Sequence, residues 1–215
     1  MSTISASPAI QSKALEANLQ ETAGEVQVDP RFAPLKEIVS RQPGLAAKID
    51  TLLHEVSHPY RNWKMIIPEL RSFVLKNINI YRDHEQGPAA FSLFVDIFFT
   101  ALLESAKNDQ LTGRTLEALL AYMDKLVLNL NAASLLRYES VLTAFFSRVQ
   151  ELDSLEPQLM LAIVQSQHAL RKMTGHIMLL RQGQQKSDDI HCQALRELMH
   201  TILFRNYEYW LSEDD

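Results

Sequence analysis

Cysteine is almost absent from this 215-residue chain. Cys192 stands alone, so no internal disulfide can form and a disulfide-stapled secreted scaffold is excluded. A reducing, cytoplasmic setting is the expectation. Glycine is scarce too: six scattered residues cannot build a phosphate-cradling loop, and G-x-x-x-x-G-K-[ST], G-x-G-x-x-G and G-x-S-x-G are all missing. That counts against a self-contained nucleotide-binding enzyme, and no cofactor is implied. Charge of one sign is lacking as well. Twenty-one Lys and Arg against 26 Asp and Glu leave a net charge of −5, which gives no global drive toward nucleic acid or an anionic membrane. No apolar run is expected to approach the roughly 20 residues needed to span a bilayer. Met1 to Pro8 has neither the basic start nor the apolar stretch of a signal peptide. No segment alternates apolar and polar residues with β-branched enrichment, so no strand is predicted.

What the chain does have is helical periodicity. Residues 1–28 are polar, with few large apolar groups around Ile10, Leu15 and Leu19, and are predicted to form a flexible tail carrying a marginal helix. Residues 29–215 are predicted to form one helical domain. Asp29-Pro30 gives an N-cap and a first-turn proline, and Pro43-Gly44 stops the helix that follows. A second helix runs from Leu45 to about Ser57, closed by Pro59. Tyr60–Arg82 carries apolar residues three and four apart throughout, with Pro68 expected to kink it or to move its true start to Met65. Asn77 falls within that stripe and needs a hydrogen-bond partner if buried. Pro88–Lys107 is the most apolar helix, with Phe91, Phe94, Phe98, Phe99 and Leu103 among its wide apolar face, and is expected to be central. Arg114–Leu130, Ala132–Leu152, Gln158–Leu180 and Asp189–Leu211 complete the series. The fold class is therefore all-α: a single domain of about six to eight helices, packed as an antiparallel bundle or a short stack of α-hairpins.

Two patterns carry possible chemistry. His54-Glu55-Val56-Ser57-His58 matches H-E-x-x-H, in which His54 and His58 hold zinc one helical turn apart and Glu55 acts as base on the bound water. Pro59 ends the helix that must keep both histidines in register. Arg61 and Lys64 occupy the positions where the extended motif wants glycine and a third histidine, leaving Glu69 as a candidate third ligand. The plainer reading is a histidine pair beside a helix C-terminus, where the dipole favours positive charge. Glu197 and His200 have the spacing of a di-iron ligand pair, but both lie on one helix and off its apolar stripe. His168 and His176 are expected at the surface, and Cys192 as a small buried apolar side chain.

The second pattern lies on the Tyr60–Arg82 stretch. Arg61, Lys64, Arg71 and Arg82 fall within about an 80° sector beside the apolar stripe, flanked by Trp63 and Tyr81. This is a candidate strip for docking an anion or an acidic partner surface. Equally, long basic stems can simply cover the edge of a core.

The strings His58-Pro59-Tyr60-Arg61-Asn62-Trp63, Glu69-Leu70-Arg71 and His84-Glu85-Gln86-Gly87-Pro88 resemble an all-helical N-terminal region. That region precedes the nucleotide-binding domain in proteins related to phosphoenolpyruvate synthase and pyruvate, phosphate dikinase. The likeness covers Leu52–Leu103 and reaches the later helices only in pattern. The family's catalytic parts have no matching motif here, so no catalytic residue is carried over. The resemblance implies a non-catalytic interaction or regulatory module within a larger protein. The expected partner is then a protein or a neighbouring domain, with neither membrane nor nucleic acid expected. A zinc-dependent hydrolase built on residues 54–58 is the alternative.

Overall fold

A computed structural model of the chain describes residues 27–107, 112–152 and 167–182. The readings on the N-terminal tail and on the final helix, including Glu197, His200 and Cys192, lie outside these residues, as does the side chain of His168. The described residues form helices joined by turns, and no strand occurs among them. The all-α expectation holds.

Asp29 opens the fold by accepting a hydrogen bond from the Arg31 amide at 2.9 Å, which caps a 3₁₀ turn, Pro30–Phe32. A short helix follows directly, α1 (Ala33–Glu37). Pro43 then serves as the first residue of α2 (Pro43–Ser57) rather than only as a stop, because its fixed φ suits a first helical turn. Ile49, Leu52, Leu53 and Val56 are the buried stripe of α2, as their spacing requires.

The long Tyr60–Arg82 periodicity resolves into two helices, α3 (Trp63–Lys76) and α4 (Ile78–Asp83). Asn62 caps α3 by accepting from the Lys64 amide. Pro68 lies inside α3, with its ring exposed, and the helix continues through it. Proline removes the bond that would reach the Lys64 carbonyl, and the first turns tolerate that loss better than a helix centre does. The break comes at Asn77, whose side-chain amide donates to the Phe73 carbonyl at 2.7 Å. A short polar side chain that bonds its own backbone competes with helix continuation. The three- and four-residue spacing survives the interruption, and so periodicity alone hides the break.

The hub is α5 (Gly87–Lys107), where Phe91, Phe94, Phe98 and Phe99 are fully enclosed. Leu103, counted in the same stripe on spacing, is instead partly exposed at the edge of that face. Gly87 starts the helix where no other residue fits. A Cβ there would meet the Tyr138 hydroxyl at 2.4 Å and the Tyr81 carbonyl at 2.5 Å. Helix α5 packs on α1, α3, α4, α6 (Thr112–Leu128) and α7 (Ala132–Leu152). Helix α8 (Gln167–Gln182) closes against α6 and α7 through Leu170, Met173 and Ile177.

One count from the sequence needs correction. Ser92, Asp96 and Thr100 interrupt the apolar run in α5, yet across its 21 residues the helix is long and apolar enough to cross a membrane by length and composition. In the bundle most of it is buried inside the protein, with its apolar side chains covered by the surrounding helices.

Candidate functional site

The His54–His58 string and the first member of the basic strip, Arg61, meet at the corner where α2 hands over to α3. The α2 helix ends at Ser57, and His58 turns into extended backbone with ψ near 134°. Pro59 follows, which drives the preceding residue out of the helical region. The His58 Nδ1 accepts a hydrogen bond from the Tyr60 amide at 3.1 Å, fixing the ring within the turn. His54 stays on the helix and is exposed, as is Glu55. The two histidines therefore do not share the continuous helix that the zinc motif requires. Among the described residues no three His, Cys, Asp or Glu side chains come together as metal ligands.

Arg61 lies in the turn, just before α3, and is the corner's clasp. Its guanidinium donates to both carboxylate oxygens of Glu104 on α5 and, at 3.2 Å, to the Val56 carbonyl at the end of α2. Trp63, buried, donates its indole N–H to the same carboxylate at 2.7 Å, and the guanidinium lies 5.2 Å from its ring centre. One carboxylate thus ties the loop and the first turn of α3 to the hub helix. Hydrogen bonding from Arg61 is the main cause that holds the Glu104 carboxyl below the ordinary glutamate value, against the opposing effect of partial burial. The same bond raises Arg61 above its ordinary value. Sequence reasoning missed Glu104, although it is one of only two acids in the α5 sequence, with Asp96 the other. An acid retained on so apolar a helix was the available signal.

The candidate basic strip does not assemble as one surface. Arg61 is committed to Glu104. Arg82, at the end of α4, bonds Asp83 and the Asn129 carbonyl, and its side chain is mostly buried. Tyr81 is wholly enclosed, donating its hydroxyl to the Leu35 carbonyl. Lys64 and Arg71 differ: both are exposed, and neither forms an ion pair with a described residue. Seven residues apart, they share one column of α3, roughly 10 Å apart along the axis.

Arg61 also divides two depressions. On one side, a groove of about 510 Å³ is lined by Asp29, Arg31, Asp96 and Arg148 among others. Each arginine there already has its carboxylate, Arg31 with Asp29 and Arg148 with Asp96, so the groove is neutralised from within. On the other side, a shallow cleft of about 400 Å³ is lined by His54, His58, Tyr60, Met65 and Ile66 among others. Tyr60 is 89% exposed and Met65 62% exposed. Both lie off the buried stripe of Trp63, Ile66, Ile67 and Leu70. Their exposure was readable from that offset, but an isolated exposed apolar residue is ordinary and points nowhere until the fold places two together.

His176, expected at the surface, is partly buried, with its Nδ1 3.6 Å from Asp124 of α6. Asp124 also receives Lys172 at 3.1 Å. This cluster fastens α8 to α6. No protein-family model, curated protein or solved structure matches the chain.

Proposed function

We propose that the chain is a non-catalytic helical interaction or regulatory module that docks a protein partner or a neighbouring domain through the α2–α3 corner. The supporting observation is the pairing of Tyr60 and Met65, two large, exposed apolar side chains, on a corner held from beneath by the Arg61–Glu104–Trp63 clasp. A rigid backbone presenting exposed apolar groups suits recognition, because little ordering entropy remains to be lost on binding. Aromatic side chains are also favoured anchors at interfaces. The resemblance of the His58–Trp63 string to the helical N-terminal region of phosphoenolpyruvate-synthase-like proteins makes a neighbouring domain of such a protein the first candidate, in the cytoplasm.

The test is affinity capture with the full chain and with a Tyr60→Ala/Met65→Ala variant, identifying bound proteins by mass spectrometry. Loss of a specific partner by the variant, at unchanged melting temperature, is the expected result. Identical bound proteins for both chains would remove the corner from the reading.

A further inference from the structure

Helix α8 buries Leu170, Met173 and Ile177 against α6 and α7. Gly175 lies nearly opposite that stripe, about 170° around the helix from its middle. Glycine is a poorer helix former than alanine, so a glycine inside a helix asks for a reason. The described packing supplies none: beyond its own helix backbone, a Cβ at Gly175 would meet no described atom within 4 Å. One turn on, and only about 40° around the helix, Leu179 is 68% exposed. An exposed leucine alone is ordinary. Beside a glycine that the described contacts do not require, it outlines a seat, because a bare stretch of backbone lets a second helix approach closely.

We infer that residues 189–211 of the same chain dock antiparallel on this outer face of α8. Their sequence carries an apolar stripe at helical spacing through Cys192, Leu195, Met199, Ile202 and Leu203, and such a stripe needs a surface to cover it. Residues 183–188 join them to α8, a connection of the length that turns one helix back along its neighbour. The register follows from that connection. Leu179 stands three residues before the end of α8 and Cys192 three residues after residue 189, so the two are level. Gly175 is level with residue 196, in the gap between Leu195 and Met199, where the absent side chain leaves room for both. This contact is independent of the α2–α3 corner and of what docks there.

The single native cysteine makes this register testable in the full chain. Leu179→Cys supplies a second thiol level with Cys192, and a disulfide closes only when the two Cα atoms come within about 7 Å. Arg171→Cys, also exposed on α8, is the control, because eight residues of helix place it roughly 12 Å from that level. Each variant is oxidised mildly, and intrachain closure is followed by free-thiol titration and by the mass of the monomer. Leu179→Cys should close with Cys192 at least ten-fold faster than Arg171→Cys. Adding Gly175→Leu to the Leu179→Cys chain fills the seat and should slow closure at least ten-fold, with helix content by circular dichroism unchanged. Closure from position 179 no faster than from position 171, including no closure from either, overturns the docking, since a segment without a fixed seat reaches both alike. Closure unaffected by Gly175→Leu overturns it as well. A disulfide that forms between two chains and rises with protein concentration assigns the face to a second copy instead.

Discussion

Three tyrosines lie fully buried in the core, and they differ in what their hydroxyls do. Tyr81 donates to the Leu35 carbonyl at 3.0 Å and Tyr138 to the Arg82 carbonyl at 2.7 Å. The Tyr122 hydroxyl has no hydrogen-bond partner among the described residues, and its ring is surrounded by Phe91, Phe94 and Phe98. Burial pushes all three phenols above their ordinary value, Tyr138 to about 12. A buried hydroxyl without a partner costs desolvation with no return, so Tyr122→Phe should leave stability unchanged or raise it. Tyr81→Phe should lose about 1 kcal/mol, since it orphans the Leu35 carbonyl. Urea unfolding of the two variants decides this, and a larger loss from Tyr122→Phe would show that its hydroxyl is satisfied after all. Glu104 offers a second residue-scale expectation. Its carboxyl binds a proton less readily in the folded chain than in the unfolded one, chiefly because of Arg61. The stability this contributes is complete above the ordinary glutamate range and is lost as pH falls through the lowered Glu104 value. Glu104→Gln should therefore flatten the acid limb of the stability curve. Acid limbs of equal slope in both proteins would contradict that.

At the scale of elements, α5 shows how a wide apolar face divides into load and edge. Phe94 is fully enclosed and stacks edge-on with Tyr81 at 5.1 Å, while Leu103 sits on the rim. Truncating Phe94 to Ala opens a cavity among α4, α5 and α6, at an expected cost of about 3–5 kcal/mol. Leu103→Ala should cost under about 1 kcal/mol, because its side chain is already partly solvated. Denaturant midpoints separate the two readily, and similar losses would mean that the Leu103 edge is covered in solution. The α3–α4 break teaches the complementary lesson. Asn77 ends a helix from within an apolar stripe, and only the geometry of its own amide on the Phe73 carbonyl reveals it.

For the whole molecule, the sequence is most informative where burial repeats. The stripes of α2, α5, α6 and α7 were legible because each buried residue reports the same demand at helical spacing. The His54–His58 string is decided differently: its meaning depends on one peptide, the turn before Pro59, that removes His58 from the helix, and Pro59 made that turn readable in the sequence. The basic strip was half legible. A helical wheel places Arg61, Lys64, Arg71 and Arg82 together, but only tertiary contacts decide which cations are spent. Arg61 and Arg82 meet acids and carbonyls brought in from α5 and the α6–α7 turn, partners 43 and 47 residues away in sequence. Lys64 and Arg71 meet none among the described residues, and the exposed pair on α3 is what remains.

The clasp beneath the corner also gives the protein an optical handle. Of two tryptophans in the sequence, Trp63 is the one within the described residues, and it is buried, bonded to Glu104 and faced by the Arg61 guanidinium. Its indole emission therefore reads the polarity and charge two residues in sequence from Met65 at the exposed corner. With Trp210 changed to Phe, that emission becomes a single intrinsic signal. Release of the clasp would red-shift it as water reaches the ring, whereas a segment settling over Tyr60 and Met65 would leave the indole dry.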